Sequence, residues 1–246
     1  MMELKNKVAL VTGGGTGIGR ATSIALAKRG AWVIVNYSRS ESDADETVRW
    51  INGEGGRAIA IQADVSKDHE VRAMIRTAVQ HYGTIDLLVN NASITKHIPM
   101  DDLESATEEV WDELFDVNVK GMFYCARAVA PFLKMQKGAI VNLGSIAGNT
   151  GLGSSLPYAV SKAAVHGLTK SLARALAPEI RVNCIVPGAV ATRWWAGKED
   201  QMNRLAPHLP LQRISSPQDI ADMICIALEQ ESMTGQIITV DSGQTM

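Results

Sequence analysis

Tyr158 and Lys162 are the two residues of this sequence best suited to moving a proton together. Four residues apart on a helix, their side chains lie on one face, one above the other. A phenol ordinarily loses its proton near a pKa of about 10, and an adjacent ammonium favours the phenolate and lowers that value. The expectation is a phenol able to exchange a proton near neutral pH. Two neighbouring surface residues would show the same spacing, so the rest of the chain must decide between the readings.

The elements around the pair can be read from spacing. Pro157 suits a helix start, where its missing N–H would be unpaired anyway. Leu168, Leu172 and Leu176 recur every fourth residue with Ala164, Gly167 and Ala175 beside them, which predicts a helix over 157 to about 177 with one buried stripe. Upstream, the apolar run 8–12 (VALVT) reads as a buried strand. Gly13-Gly14-Gly15-Thr16-Gly17-Ile18-Gly19 follows it directly, then a helical pattern that stops at Gly30. Further strands are expected over 31–37, 57–63, 85–89, 139–143, 180–186 and 236–240. Helices are expected around 45–51 and 71–79 and over 111–135 and 217–228, and 189–216 is the least regular stretch. Strands alternating with helices predict an α/β fold of the doubly wound Rossmann type, with about seven parallel strands and helices on both faces.

In such a sheet, ligands bind outside the carboxyl ends of the strands. The polar and glycine-rich residues fall there: Gly13 to Gly19, Ser38-Arg39, Asp64, Asn90-Asn91, Ser145 and Pro187-Gly188. One such turn is ordinary turn chemistry; six at one edge are better explained by one long ligand. A glycine-rich turn opening a helix brings backbone N–H groups and the helix dipole to a phosphate. The motif is not a P-loop, because Arg20 and Ala21 replace the required Lys and Ser/Thr.

Composition narrows the class. Of 246 residues, 46% are hydrophobic and 20% charged, with a net charge of -2. That is an ordinary globular balance, without the basic excess of a nucleic-acid or membrane-surface protein. Cys125, Cys184 and Cys225 stand in apolar contexts without metal spacing, as buried thiols of a reducing compartment would. With no apolar leader at Met1-Met2-Glu3 and no run of membrane-spanning length, a cytoplasmic location is expected.

Taken together, Thr12-Gly13-x-x-x-Gly17-Ile18-Gly19, Asp64, Asn90-Asn91-Ala92, Asn118, Ser145, Tyr158-x-x-x-Lys162 and Pro187-Gly188 resemble the classical short-chain dehydrogenases/reductases over essentially the whole chain. The resemblance implies one NAD(P)-binding oxidoreductase domain over 1–246, acting on a carbonyl or hydroxyl group. It implies Tyr158 as proton donor and acceptor, Lys162 lowering its pKa and holding the nicotinamide ribose, Ser145 bonding the substrate oxygen, and Asn118 positioning a water in a proton relay. It further implies cofactor contacts from Gly13, Thr16, Gly17, Ile18, Gly19, Ser38, Arg39, Asp64, Val65, Asn91, Ala92, Tyr158, Lys162, Pro187, Gly188, Val190 and Thr192. Two positions depart from the pattern. Ser93 stands where glycine is usual, as in pteridine reductases, although Ser145 fits ordinary carbonyl reduction; and Ser242 stands where glycine is commoner near the C-terminus.

No acidic residue ends the second strand at Asn36-Tyr37, and Arg39 follows. An acid there would bond the ribose 2′-OH of NAD, whereas arginine recognises phosphate. NADP(H) is therefore favoured over NAD(H), the alternative being a solvated loop arginine. The stretches Asn36-Tyr37-Ser38 and Ser171-Leu172-Ala173-Arg174 resemble 3-oxoacyl-[acyl-carrier-protein] reductases, which implies an acyl-thioester substrate and a carrier-protein partner. One carrier-docking arginine of that group falls at Pro131, however, and Arg174 recurs across the family, so a general ketone, alcohol or sugar oxidoreductase stays open. A nucleotide-binding regulator without turnover is disfavoured because all four catalytic residue types are present. Trp194-Trp195 either wall an apolar substrate pocket or seal their segment to the core or a neighbouring subunit. Small residues along the Tyr158 helix and the 111–135 helix (Ala159, Ala163, Gly167, Gly121, Ala128) allow a close two-fold contact, and the resemblance implies a homotetramer, a dimer of dimers.

Overall fold

The computed structural model describes residues 1–195, 197 and 199–246, without the side chains of Trp194 and Glu199. Among the described residues, seven strands form one parallel sheet: β1 (Val8–Val11), β2 (Trp32–Tyr37), β3 (Arg57–Gln62), β4 (Leu87–Asn90), β5 (Ala139–Leu143), β6 (Arg181–Pro187) and β7 (Ile237–Val240). Their order is β3-β2-β1-β4-β5-β6-β7. The chain reverses its direction of growth between β1 and β4, which opens a crevice at the carboxyl ends of those strands.

The strand sequences explain the burial. Side chains alternate between faces with period two, so Ala9 and Val11 of β1 pack on one side while Val8 and Leu10 pack on the other. Both sides are covered, so the central strands read as continuous apolar runs. The first side is covered by α1 (Gly17–Lys28), α2 (Glu41–Gly53) and α9 (Pro217–Glu229). The second is covered by α3 (Asp68–Tyr82), α5 (Gly121–Gln136) and α7 (Leu156–Leu176). The remaining α-helices among the described residues are α4 (Glu108–Phe115), α6 (Ala147–Thr150) and α8 (Glu199–Leu205). Cys125, Cys184 and Cys225 are free and buried. No helix among the described residues is long and apolar enough to cross a membrane.

Two sequence expectations need correction. The helix expected over 111–135 starts earlier, at Glu108, and widens into a π-helical turn over Asp116–Lys120 before continuing as α5. Local side-chain spacing does not distinguish that turn from α-helix; tertiary hydrogen bonds to Asn118, described below, accompany it. The stretch 189–216 is not merely irregular. It contains α8, two short 3-10 turns (Arg193–Trp195 and Ala206–His208) and a parallel bridge between Val190 and Ser215.

A buried polar chain crosses the second side of the sheet. Asn90 Nδ2 donates to Asn142 Oδ1 at 2.8 Å and to the Met122 carbonyl at 3.2 Å. Asn142 Nδ2 donates to Thr169 Oγ1 at 3.0 Å, and that hydroxyl donates to the Val165 carbonyl. Every link has a partner, so the chain ties β4, β5, α5 and α7 together where an unpaired amide would be costly.

Candidate active site

The crevice becomes a cleft of about 1140 Å³ along the carboxyl ends of the strands. At its centre Thr12 joins β1 to β4: its Oγ1 accepts from the N–H groups of Asn91 (2.9 Å) and Ala92 (3.0 Å). Asn91 Nδ2 in turn donates to the carbonyls of Thr12 and Gly13. The glycine-rich turn lies above this junction. Gly13 and Gly17 have positive φ values of 59° and 50°, a region glycine enters at little cost. A Cβ on Gly19 would lie 2.1 Å from the Gly13 carbonyl oxygen, so the opening of α1 packs directly on the turn.

Seen from the cleft, the sequence-nominated residues come together with two exceptions. Gly13, Thr16, Gly17, Ile18, Ser38, Arg39, Asp64, Val65, Asn91, Ala92, Ser145, Tyr158, Lys162, Pro187, Gly188, Val190 and Thr192 all line it. Gly19 supports the turn from behind. Asn118 is fully buried, off the cleft wall. Its Oδ1 accepts from Ser93 Oγ (3.0 Å) and the Ile94 N–H (2.9 Å), and its Nδ2 donates to the Ile94 carbonyl and to Ser161 Oγ. An amide has two donors and one acceptor oxygen, and here all are engaged. The side chain fastens the loop after β4 to α7. The hydroxyl of Ser93, the departure from the usual glycine, is one of its fastenings.

The N-terminus of α7 fixes the reactive pair. Ser155 caps the helix by accepting from the Tyr158 N–H at 3.3 Å. A Cβ on Gly148 would lie 2.7 Å from the Ala163 nitrogen, so α6 sits tightly on α7 and holds Ser145 beside Tyr158. The two hydroxyls are hydrogen-bonded. Lys162 is 2% exposed; its Nζ donates to the Leu143 carbonyl at 3.0 Å and stands 5.8 Å from the centre of the Tyr158 ring.

Burial reverses the electrostatic expectation for this pair. Loss of water pushes the Tyr158 phenol up to about 12, with the Ser145 hydrogen bond acting in the opposite direction. The same cause brings Lys162 down to about 8. Desolvation disfavours the charged form of either group, and Lys162 directs its hydrogen bond to a carbonyl rather than to the phenol. At neutral pH the phenol keeps its proton, the state a proton donor requires.

Some residues of the cleft carry no sequence signal. Asn36, read as part of the adenosine end, is buried: its Oδ1 accepts from the Gly13 N–H and its Nδ2 donates to the carbonyls of Tyr37, Ile61 and Ala63. It braces the turn. Glu109, Asp112, Glu113 and Asp116 bring carboxylates to the far wall of the cleft, with Lys96 paired to Glu113 at 2.8 Å. Gln244 also reaches it, accepting from the Ala189 N–H; nothing local in the sequence marks a residue so near the C-terminus. Trp195 lines the cleft, while the Trp194 side chain lies outside the described residues. Ser242 adopts φ 57°, which suits glycine, but its Oγ is 3.1 Å from Ser215 Oγ, a buried contact glycine would lack.

The residues present fit a dinucleotide: a glycine cradle at a helix start, a polar turn after β2, and a buried Tyr–Lys–Ser group at the other end of one cleft. Comparison with known proteins agrees. A family model for short chain dehydrogenases matches residues 7–203. The "Short-chain dehydrogenase/reductase homolog YusR" of Bacillus subtilis is 69% identical over 129 residues, which is 52% of this chain and 100% of that protein. A 3-oxoacyl-[acyl-carrier-protein] reductase FabG of Staphylococcus epidermidis is 40% identical over 246 residues, covering 98% of this chain and 100% of its own. The crystal structure of a dehydrogenase/reductase from Sinorhizobium meliloti superposes with a TM-score of 0.92 at 33% identity, over 99% of this chain and 98% of that one. The chain belongs to the short-chain dehydrogenase/reductase family and is an NAD(P)-dependent oxidoreductase.

Proposed function

We propose that this enzyme reduces a ketone to a secondary alcohol with NADPH, and that a 3-oxoacyl thioester is its substrate. The observation that carries the reading is Tyr158 hydrogen-bonded to Ser145 in a cleft that continues to Ser38 and Arg39, where burial pushes the phenol up to about 12 and favours its protonated form. When bound, the nicotinamide supplies the hydride. Tyr158 gives its proton to the carbonyl oxygen as negative charge develops there, and Ser145 hydrogen-bonds the same oxygen. Lys162 holds the nicotinamide ribose. The glycine turn would cradle the pyrophosphate, Asp64 and Val65 would border the adenine, and Arg39 would meet the 2′-phosphate.

A second reading, an uncharged ketone, alcohol or sugar substrate, is favoured by one observation. Glu109, Asp112, Glu113 and Asp116 line the far wall, and a thioester carried on a phosphate-bearing arm would approach those carboxylates. NADPH oxidation measured with 3-oxoacyl thioesters, on coenzyme A and on a carrier protein, beside uncharged ketones and sugars separates the two. Preference for NADH over NADPH, or no loss of NADPH preference in Arg39→Asp, would refute the cofactor assignment. The working form is a homotetramer: Phe123 and Val160 are exposed on α5 and α7, and Gly167 leaves open space mid-helix. A monomeric mass by light scattering, with full activity, would refute that.

A further inference from the structure

The segment after β6 reaches back over the glycine-rich turn. Thr192 Cγ2 lies 3.4 Å from where a Gly17 Cβ would be. The next residue, Arg193, lines the cleft and donates from Nη1 to Asp43 Oδ2 at 2.8 Å, across 150 positions of sequence. Asp43 belongs to the first turn of α2, three residues after Ser40 of the cleft wall. Its neighbour Ala44 touches the glycine turn so closely that a Cβ on Gly15 would lie 2.8 Å from the Ala44 Cα. Asp43 is thereby held beside the cradle and beside the Ser38–Arg39 turn.

The opening of α2 is acidic: Glu41, Asp43, Asp45 and Glu46. That suits a helix N-terminus but sets negative charge next to a site meant for phosphate. Glu46 is paired with Arg20 of α1 at 2.7 Å, Glu41 accepts from the Tyr37 hydroxyl, and Asp43 is paired with Arg193. We propose, resting on the placement of the adenosine ribose at Ser38–Arg39, that Arg193 is a specificity residue for the phosphorylated dinucleotide and that it acts by neutralising Asp43. The 2′-phosphate carries between one and two negative charges at neutral pH, and an uncompensated carboxylate within about a Debye length repels it. NADH lacks that phosphate and shares only the pyrophosphate, so it feels a smaller part of the repulsion. The pair is half exposed, so the effect is modest and salt-dependent.

The test is equilibrium titration of NADPH and NADH, followed by protein and nucleotide fluorescence, with the unmutated protein, Arg193→Ala, Asp43→Asn and the double variant. Arg193→Ala is expected to weaken NADPH about 3- to 10-fold at low salt, to leave NADH within about twofold, and to lose most of its effect at high salt. Asp43→Asn leaves NADPH binding intact and, combined with Arg193→Ala, restores it. An equal loss in the Asp43→Asn background would mean that Arg193 meets the phosphate itself, and would overturn the proposal. So would an equal loss for both nucleotides, or no loss. Failure of the unmutated protein to bind either nucleotide would instead defeat the reading of the cleft on which the proposal stands.

Discussion

Lys162→Met should make the change in stability between pH 7 and pH 9.5 less favourable than it is in the unmutated protein. The ammonium of Lys162 is buried, and its pKa falls from 10.5 to about 8 for that reason. The lysine therefore binds its proton less tightly when folded than when unfolded. Below pH 8 both states are protonated and the full penalty of burying the charge is present. Between 8 and 10.5 this lysine holds more of its proton in the unfolded chain, so its contribution to stability rises with pH. Integrated with these two values, the gain from pH 7 to 9.5 is about 2 kcal/mol. The variant also loses the hydrogen bond to the Leu143 carbonyl, but that loss is the same at both pH values and cancels in the difference. The buried thiols Cys125, Cys184 and Cys225, pushed up from 9.0 to about 12, 11 and 12, act with the opposite sign above pH 9, as the Tyr158 phenol does above pH 10; they are present in both proteins, so the comparison between the two isolates Lys162. Urea unfolding of both proteins at both pH values and one protein concentration, followed by tryptophan fluorescence, measures the difference directly. A variant with the same pH dependence as the parent would show that Lys162 is not desolvated as its burial requires.

Tyr158→Phe keeps the ring and loses the proton: dinucleotide titration should be nearly unchanged while turnover falls by at least about 100-fold, and near-normal steady-state rates would remove Tyr158 from the chemistry. Asn142→Ala breaks the buried chain between Asn90 and Thr169; leaving those groups without partners should cost roughly 2–4 kcal/mol in urea unfolding, and a cost under about 1 would mean that water replaces the amide. Gly19→Ala would force the start of α1 off the Gly13 carbonyl, so nucleotide affinity should drop at least about tenfold while far-ultraviolet circular dichroism remains; unchanged affinity would contradict the packing of the cradle.

Much of this protein is legible in its sequence because the signals are local. Apolar runs such as VALV, and AIVNL with its single Asn142, mark strands buried on both sides. The glycine cluster after β1 marks a turn whose backbone must come close to something, and an i, i+4 spacing puts Tyr158 and Lys162 on one helical face whatever surrounds them. Those features suffice for the fold, the edge of the sheet where ligands bind, and the reactive pair. The tertiary structure decided the remainder. Whether the ammonium or loss of water controls the phenol depends on how much protein encloses both, and burial prevails. Asn118 sits in a π turn with its amide bound to the loop after β4, in a helix whose sequence reads as regular. Arg193 and Asp43 are 150 residues apart, and the carboxylates of α4 face a cleft whose other wall comes from distant segments. Periodicity records what a residue's own turn or strand requires of it. Charge neutralisation, desolvation and hydrogen-bond saturation depend on what folding carries to within a few ångströms, and that distance is set by the assembled sheet and helices.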